Sequence, residues 1–189
     1  MNDTYLFTSE RLGFRVFTKS DLKVFSEMNS DPDVMEHFPN ILSIDESDEF
    51  IDRLIAHFEK HSYQYFATEI IETGEFIGFI GLAFQRYKTQ FSPATDIGWR
   101  LKKSAWGKGY ATEGAKRCLK YAFEELKLEK VFSACTLSNV PSENVMKKLG
   151  MTKMGEFLHP NLKEYPELEK CVWYVPFVLE IEHALKLIF

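Results

Sequence analysis

The feature that most constrains the fold is a strand-like segment that leads, through a short glycine-bearing turn, into a helix-like segment. Between residues 96 and 101 polar or small side chains alternate with apolar ones, which is the period of two expected of a β-strand. From Ala111 to Leu126 apolar side chains recur at helical spacing and form one face. A strand that leads into an amphipathic helix predicts an α/β domain in which helices cover a sheet.

The turn itself has the composition of an anion-binding site. Trp106-Gly107-Lys108-Gly109 stands between the strand and the helix, and Lys102 and Lys103 precede it. Glycines let a ligand approach the backbone closely. The start of a helix offers unpaired N–H groups and positive dipole charge, which suit a phosphate or pyrophosphate. The sequence therefore predicts an anion at this turn.

Length, charge and cysteine content narrow the class of protein. The 189 residues fit one domain, residues 1–189. A net charge of −5 argues against nucleic-acid binding through a basic face and is compatible with a cationic amine substrate. Cys118, Cys135 and Cys171 are widely spaced and fit neither a disulfide framework nor a zinc site. Cys118 lies on the apolar helix face, so we expect a buried thiol.

The N-terminal residues lack a basic segment followed by an apolar run, so we predict no signal peptide. The sequence also lacks an apolar stretch of the roughly 20 residues that a membrane-spanning helix needs. We therefore expect a cytoplasmic protein that does not bind a membrane.

Hydrophobic periodicity and capping signals predict the remaining elements. Ser43 opens a capping box, Asn139 is a good helix cap, and Gly150 suits a left-handed helix end. The apolar run at 76–84 predicts a central strand covered on both faces. The predicted strands are 12–17, 63–71, 76–84, 96–101, 131–137, 151–157 and 171–178; the predicted helices are 22–28, 43–60, 110–126 and 142–149; residues 33–43, 85–94 and 159–170 are predicted loops, and 179–189 fit a helix or an added strand.

Two common phosphate-binding motifs do not fit the turn. A P-loop requires G-x-x-x-x-G-K-[ST], which residues 107–110 do not supply. The dinucleotide motif G-x-G-x-x-G would start at Gly107, but Thr112 stands at its third glycine. That motif also belongs to a β-α-β unit at the start of a domain, and this turn lies past the middle of the chain.

A third pattern fits. Residues 106–111 resemble the coenzyme A pyrophosphate loop of the GNAT acetyltransferase superfamily, Q/R-x-x-G-x-G/A, in which Gly109 and Ala111 match and Trp106 departs from the first position. Such a departure resembles the RimJ/RimL-like branch, which is related to ribosomal-protein N-terminal acetyltransferases. Three further stretches are similar to that branch in order and spacing: Ser9–Leu12, Asp96–Leu101, and the segment from Asn139 to Met151.

The resemblance implies a mostly antiparallel, twisted sheet that splays open near its middle, flanked by helices, with acetyl-CoA in the split. It implies an acetyl-CoA-dependent N-acetyltransferase that transfers the acetyl group directly to a primary amine, either a protein N-terminus or a small molecule, as a monomer or homodimer and without a metal. Lys102, Lys103 and Lys108 could add positive charge near the pyrophosphate. The coenzyme A site carried over from the family comprises Leu101, Trp106, Gly107, Lys108, Gly109, Tyr110, Ala111, Thr112, Asn139 and Ser142.

Acetyl transfer needs a base, because an alkyl ammonium with a pKa of about 10.4 must lose a proton before it attacks. Asp96 is the first candidate, since relatives often carry Glu there; the shorter side chain suits a water relay. The alternative is a structural carboxylate that binds Arg100 or solvent. Glu36 is the second candidate, in a segment that lines the acceptor site in the family.

The reaction also needs an acid that protonates the leaving thiolate. Many GNAT enzymes use a tyrosine where this chain has Met146, so that role does not carry over. Ser142 matches a serine proposed to assist the thiol, although a serine in a first helical turn also serves as a cap. His159 falls where relatives place residues near the acceptor. A different class of function is also open: a non-catalytic acyl-CoA-binding sensor on the same fold.

Overall fold

The computed structural model describes residues 4–176, in which strands and helices are interspersed along the chain. The strands are β1 (Phe7–Thr8), β2 (Leu12–Arg15), β3 (Tyr65–Ile70), β4 (Glu75–Gln85), β5 (Ala94–Leu101), β6 (Val131–Thr136), β7 (Thr152–Leu158) and β8 (Lys170–Val175). The helices are α1 (Leu22–Asn29), α2 (Pro32–Met35), α3 (Ile44–His61), α4 (Tyr110–Lys120), α5 (Val140–Lys148) and α6 (Pro166–Glu169).

The eight strands form one sheet in the order β1-β2-β3-β4-β5-β6-β8-β7. Every neighbouring pair is antiparallel except β5 and β6, which run parallel. That parallel pair is joined only at Thr95–Val131 and Asp96–Phe132. Beyond Asp96 the two strands diverge, so the sheet is open near its middle. The predicted mostly antiparallel, splayed sheet is confirmed.

β4 lies at the centre of the sheet and is covered on both faces, as its apolar sequence predicts. Eight consecutive residues from Phe76 to Ala83 are buried. Phe79 packs in a cluster with α1 and α3 on one face, and Ile80 packs against α4 on the other. Cys118 of α4 is fully buried in the second cluster, as expected for a core thiol.

The capping signals are confirmed where the helices begin and end. Ser43 and Glu46 form a reciprocal capping box at α3. The Asn139 side chain accepts a hydrogen bond from the Ser142 N–H at 3.0 Å at the start of α5. Gly150, with a φ of 72°, follows the end of that helix in the left-handed conformation, which glycine adopts without steric cost.

Three short elements differ from the prediction. α2 lies in a segment predicted to be irregular, because Pro32 starts a helix there with Asp31 as its cap instead of only ending the one before. β1 and α6 are too short for periodicity to indicate. The element predicted at 179–189 lies outside the described residues.

Between residues 4 and 176 the structure contains no helix that is long and apolar enough to cross a membrane. The cytoplasmic location, the domain extent of 1–189 and the oligomeric state stay predictions.

Candidate active site

The site is built where β5 and β6 separate. Lys102 N–H donates to the Ile77 carbonyl of β4, which places the even-numbered backbone groups of β5 on its β4 side. The Ile97 carbonyl accepts from the Ser133 hydroxyl of β6 at 2.9 Å, so the odd-numbered groups point toward the opening. The backbone N–H of Trp99 therefore faces the opening, beyond the last described pairing of β5 with β6.

Two cavities meet at this opening. The first, of about 350 Å³, contains Asp96, Tyr65 and Gln85 in its wall and is called here the carboxylate cavity. The second, of about 470 Å³, is lined by loop residues 105–107 and 109–112 and is called the loop cavity. Both are lined by Trp99, Arg100, Asn139 and Ser142, together with His37 and Phe38 from the segment after α2. The arrangement allows two different ligands to meet across β5.

The glycine turn at the head of α4 forms a cradle with exposed backbone. Gly107 and Gly109 have φ values of 72° and 82°, which side chains other than glycine seldom adopt. Gly109 is the N-cap, and no side chain caps the helix. The first N–H groups of a helix have no intrahelical partner, so those of Tyr110, Ala111 and Thr112 are free to bind an anion. These residues fit a pyrophosphate.

The turn is held by the segment before β2. The Ser9 hydroxyl donates to Glu113 Oε1 at 2.7 Å, and the Arg11 N–H and Nε donate to Glu113 oxygens at 2.8 and 2.7 Å. Arg11 Nη2 also donates to the Lys108 carbonyl at 3.2 Å. Burial would raise the pKa of Glu113, but the hydrogen bonds from Ser9 and Arg11 hold it below its usual value. The Ser9–Leu12 stretch thus clamps the turn to the first turn of α4.

Trp106 braces the turn from the other end. Its indole Nε1–H donates to the Leu101 carbonyl at 2.8 Å, which closes the segment between β5 and α4. Trp106 is 46% exposed and borders the loop cavity. Trp106 therefore shapes the turn through its hydrogen bond to the backbone. The exposed part of the residue stays available to a ligand.

The lysines near the turn are placed differently from expectation. Lys103 pairs with Asp33 of α2, and the Lys102 ammonium lies 5.5 Å from the centre of the Phe76 ring. Lys108 is exposed and does not line the loop cavity. Lys148 of α5 does line it. Of the ten residues predicted for coenzyme A, all except Lys108 border the loop cavity.

Asp96 is held by two residues from neighbouring strands. Tyr65 Oη donates at 2.8 Å to either carboxylate oxygen, and Gln85 Nε2 donates to Oδ2 at 3.2 Å. Burial raises the pKa of Asp96 to about 7, and the hydrogen bonds from Tyr65 and Gln85 oppose a larger rise. The alternative in which Asp96 binds Arg100 is wrong, because the Asp96 carboxylate accepts from Tyr65 and Gln85, while Arg100 donates to Asn29.

The sheet explains how Tyr65 reaches Asp96 across β4. Tyr65 pairs with Gly81, and Gly81 pairs with Gly98. A Cβ on Gly98 would lie only 3.1 Å from the Tyr65 ring. The absence of a side chain at Gly98 therefore lets the ring lie over β5 and place its hydroxyl on the carboxylate.

The other predicted site residues are brought together in part. Ser142 borders both cavities, and Asn139, not Ser142, supplies the side-chain cap of α5. Glu36 borders only the loop cavity, its side chain is 72% exposed, and it lies 3.8 Å from His37. His159 lines the carboxylate cavity against the Tyr87 ring, and burial lowers its pKa.

Sequence reasoning missed the residues that act through pairing between strands. Tyr65 and Gln85 are 31 and 11 residues from Asp96, and no local pattern joins them. Arg11 belongs to a stretch that the resemblance singled out, but only the fold shows that it contacts the turn at Lys108. The signal for Arg11 was present in the sequence; that for Tyr65 and Gln85 was not.

Comparison with known proteins decides the family. Residues 11–152 match the family described as the acetyltransferase (GNAT) domain. The chain belongs to the GNAT acetyltransferase family. As a GNAT enzyme it is an N-acetyltransferase that uses acetyl-CoA as co-substrate and an amine as acceptor, and the resemblance to the GNAT superfamily seen in the sequence is confirmed.

Individual GNAT relatives agree. The uncharacterized N-acetyltransferase YnaD of Bacillus subtilis (strain 168) is 31% identical over 152 residues, which cover 79% of this chain and 84% of YnaD. The crystal structure of a GNAT-family acetyltransferase from Bacillus anthracis matches with a TM-score of 0.72 at 29% identity, covering 89% and 95% of the two chains. The ribosomal L7/L12 α-N-protein acetyltransferase RimL, in complex with coenzyme A, has a TM-score of 0.72 at 16% identity, covering 92% of this chain and 97% of RimL, and shares the fold.

Proposed function

We propose that this GNAT enzyme transfers the acetyl group of acetyl-CoA directly to a primary amine, with Asp96 as the general base and without a covalent enzyme intermediate. The observation that carries the proposal is the position of Asp96. Its carboxylate lies in the wall of the carboxylate cavity, on the strand that also borders the loop cavity. A pKa of about 7 suits a base that accepts a proton at neutral pH and releases it afterwards.

The loop cavity is the proposed site of coenzyme A. Acetyl-CoA supplies an activated thioester. Backbone N–H groups from Gly107 to Thr112 would bind its pyrophosphate at the start of α4, and Asn139 would flank the arm that carries the acetyl group. Nothing larger than hydrogen stands on Gly107 and Gly109, and an added Cβ would meet open space at Gly107, so the cradle is open to a ligand.

The carboxylate cavity is the proposed site of the acceptor. An ammonium that enters it meets Asp96, and proton transfer to that carboxylate, directly or through water, leaves a neutral amine that can attack. Glu36 is the weaker candidate for this role because it borders the other cavity and is largely exposed.

The backbone of β5 offers a hydrogen-bond donor to the carbonyl oxygen of the thioester. As the amine adds to the thioester, negative charge develops on the carbonyl oxygen. The N–H of Trp99, which faces the opening of the sheet, is the proposed donor to that oxygen. A backbone donor fixed in a strand needs no reorganisation, which is the basis of oxyanion stabilisation.

The leaving thiolate must be protonated, and Ser142, which borders both cavities, is the proposed relay: its hydroxyl donates to the thiolate as it accepts the proton that the attacking nitrogen loses. Met146, at the position where many relatives carry tyrosine, is fully buried and has no proton to give. Cys135 lines the carboxylate cavity, but burial raises the pKa of its thiol to about 12. A thiol that is protonated at neutral pH is a poor nucleophile, which supports direct transfer over an acyl-cysteine intermediate.

The proposed direct attack includes no metal. It needs none, since Asp96 and the Trp99 N–H supply the proton acceptor and the electrophilic donor.

Release of free coenzyme A tests the proposal against a non-catalytic acyl-CoA sensor. The protein is incubated with acetyl-CoA and a panel of neutral, cationic and carboxylate-bearing amines, including peptides with free N-termini. Thiol release that depends on an amine supports the enzyme; coenzyme A binding without release across the panel supports the sensor. Initial rates with both substrates varied should give intersecting double-reciprocal lines, whereas parallel lines would indicate a covalent intermediate and contradict direct attack.

A further inference from the structure

Arg100 is a buried cation for which the described part of the chain supplies no anion. The residue is 8% exposed, and although burial lowers the pKa of its guanidinium to about 10, it is charged at neutral pH. Nη1 donates to Asn29 Oδ1 at 2.8 Å, whereas Nε is buried without a hydrogen-bond partner. The ion pairs formed within residues 4–176 do not include Arg100.

Aromatic rings surround the guanidinium in place of carboxylates. Its central carbon lies 4.0 Å from the centre of the Phe38 ring, 5.4 Å from that of Phe79 and 5.8 Å from that of Phe50. Such cation–π contacts replace part of the lost hydration. A buried charge without a counter-ion is nevertheless costly, and a ligand that brings an anion would recover that cost.

The position of Arg100 connects it with the acceptor. Asp96, Gly98 and Arg100 alternate along β5 and therefore share one face of the sheet. Asp96 and Arg100 both line the carboxylate cavity. Residues four apart in a strand are separated by about 13 Å, so a molecule of about that length in the cavity can place an amine at Asp96 and an anionic group at Arg100.

We propose that the acceptor amine carries a carboxylate several bonds away from the amine, and that Arg100 binds this carboxylate as a specificity-determining residue; this inference rests on the acetyl transfer proposed above. The planar fork of a guanidinium matches a carboxylate geometrically. A polyamine is disfavoured, because its second ammonium would meet Arg100 in a low-dielectric cavity.

Asn29 keeps the guanidinium available. Asn29 is fully buried, and its Nδ2 donates to the Ser47 hydroxyl at 3.2 Å while its Oδ1 accepts from Arg100. This amide orients Arg100 without neutralising it. The substitution Asn29→Asp keeps the shape but gives Arg100 a built-in counter-ion, so it should weaken the binding of an external carboxylate.

The test uses N-acetylated amines with a distant carboxylate, which are products of the proposed transfer and have no free amine, so that only carboxylate and carboxamide are compared. N-acetyl-6-aminohexanoic acid, N-acetyl-8-aminooctanoic acid and N-acetyltriglycine are titrated into the coenzyme A-loaded protein beside their carboxamides. At least one acid is expected to bind about tenfold or more tightly than its amide. That ratio should fall to one or below in Arg100→Gln and decrease in Asn29→Asp.

Arg53→Gln is the matched control, because Arg53 also lies beside Phe50 but is 64% exposed and outside both cavities; its ratio should equal that of the wild type. Equal binding of acids and amides by the wild type, or a ratio that Arg100→Gln leaves unchanged, would overturn the inference. So would a loss of coenzyme A affinity in Arg100→Gln with the acid preference intact, since the anion would then belong to coenzyme A.

The thiol-release panel separates this inference from the proposed function. Turnover of amines with no preference for a carboxylate would contradict the role of Arg100 and leave acetyl transfer standing. Acid-selective binding that Arg100→Gln abolishes, without turnover of any amine, would contradict acetyl transfer and leave the carboxylate site standing. Asn29→Asp covers the case in which Arg100→Gln does not fold.

Discussion

Asp96 shows how a single carboxylate is made useful by a costly position. Burial disfavours its charged form, and the hydrogen bonds from Tyr65 and Gln85 recover part of that cost. The balance leaves a base that is about half ionised near pH 7. Burial alone would raise the pKa of Asp96 further and leave a neutral acid at pH 7. The hydrogen bonds alone would lower the pKa and leave a weakly basic carboxylate.

The cost should be measurable as stability. Because the pKa of Asp96 in the folded protein, about 7, lies above its usual value of 3.8, the folded protein retains a proton that the unfolded chain loses between about pH 4 and pH 7. The free energy of unfolding therefore falls as pH rises through that window. Asp96→Asn removes this dependence and should be more stable than the wild type by about 1–4 kcal/mol at pH 8.

Urea unfolding of both proteins at pH 5 and pH 8 measures the effect. The advantage of Asp96→Asn should shrink toward pH 5. A difference of the same size at both values would contradict the raised pKa, and a destabilised variant at pH 8 would show that the hydrogen bonds outweigh the burial.

At the scale of elements, the decisive unit is the turn between β5 and α4 together with the segment that clamps it. Positive φ values at Gly107 and Gly109 shape the backbone, and the hydrogen bonds of Arg11 and Glu113 fix it against the start of β2. The sequence predicted the turn because its glycines and the following helix are local signals. The clamp joins residues 102 positions apart, which no local pattern can indicate.

Gly109→Glu tests the turn. A carboxylate at this position would face the pyrophosphate, and like charges placed together cost several kcal/mol, so coenzyme A affinity should fall about 100-fold or more. A Cβ there would meet only Arg11 Nη2, at an ordinary contact distance of 3.5 Å, so the added carbon does not clash and the cost is backbone strain. Calorimetric titration with coenzyme A measures the change.

Gly74→Glu is the matched control, because Gly74 has a φ of 68° with open space around it and lies in the β3–β4 turn. Gly74→Glu has the same kind of backbone strain as Gly109→Glu but lies away from the coenzyme A turn. Its coenzyme A affinity should therefore be that of the wild type. Equal affinity in the two variants would contradict the assignment of the turn.

Glu113→Gln tests the clamp. It removes the charge that accepts from Ser9 and Arg11, so the free energy of unfolding should fall by about 1–3 kcal/mol and coenzyme A should bind more weakly. Glu124→Gln is the comparison, because its pair with Lys120 is exposed and 3.7 Å long. It should cost less than about 0.5 kcal/mol. Equal effects of the two substitutions would show that Glu113 has no special part in holding the turn.

At the scale of the whole molecule, the split between β5 and β6 determines where chemistry can occur. Two cavities border β5 at the opening; Asp96 lines the carboxylate cavity, and the glycine turn lines the loop cavity. A continuous sheet would separate them. The loss of pairing after Asp96 is therefore the structural event that creates the proposed site.

Sequence reasoning reached the strands, the long helices and the turn because each depends on local periodicity and capping. The splayed sheet came from a resemblance to a family, since nothing local in 131–136 shows where β6 leaves β5. The partners of Asp96 and the isolation of Arg100 depend on strand register and on contacts with α1, and only the folded chain reveals them.

The measurement that tests the account most directly is the pH dependence of kcat/KM for thiol release by the wild type, Tyr65→Phe and Asp96→Asn with one amine. The titration of the amine is common to all three proteins, so differences report on the enzyme. The wild type should show an acid limb with an apparent pKa near 7. Tyr65→Phe removes a donor to the charged carboxylate and should move that limb to higher pH. Asp96→Asn should abolish it and lower the rate above pH 7 by about 10²–10⁴-fold. An acid limb that stays in place in both variants would contradict the assignment of Asp96 as the base.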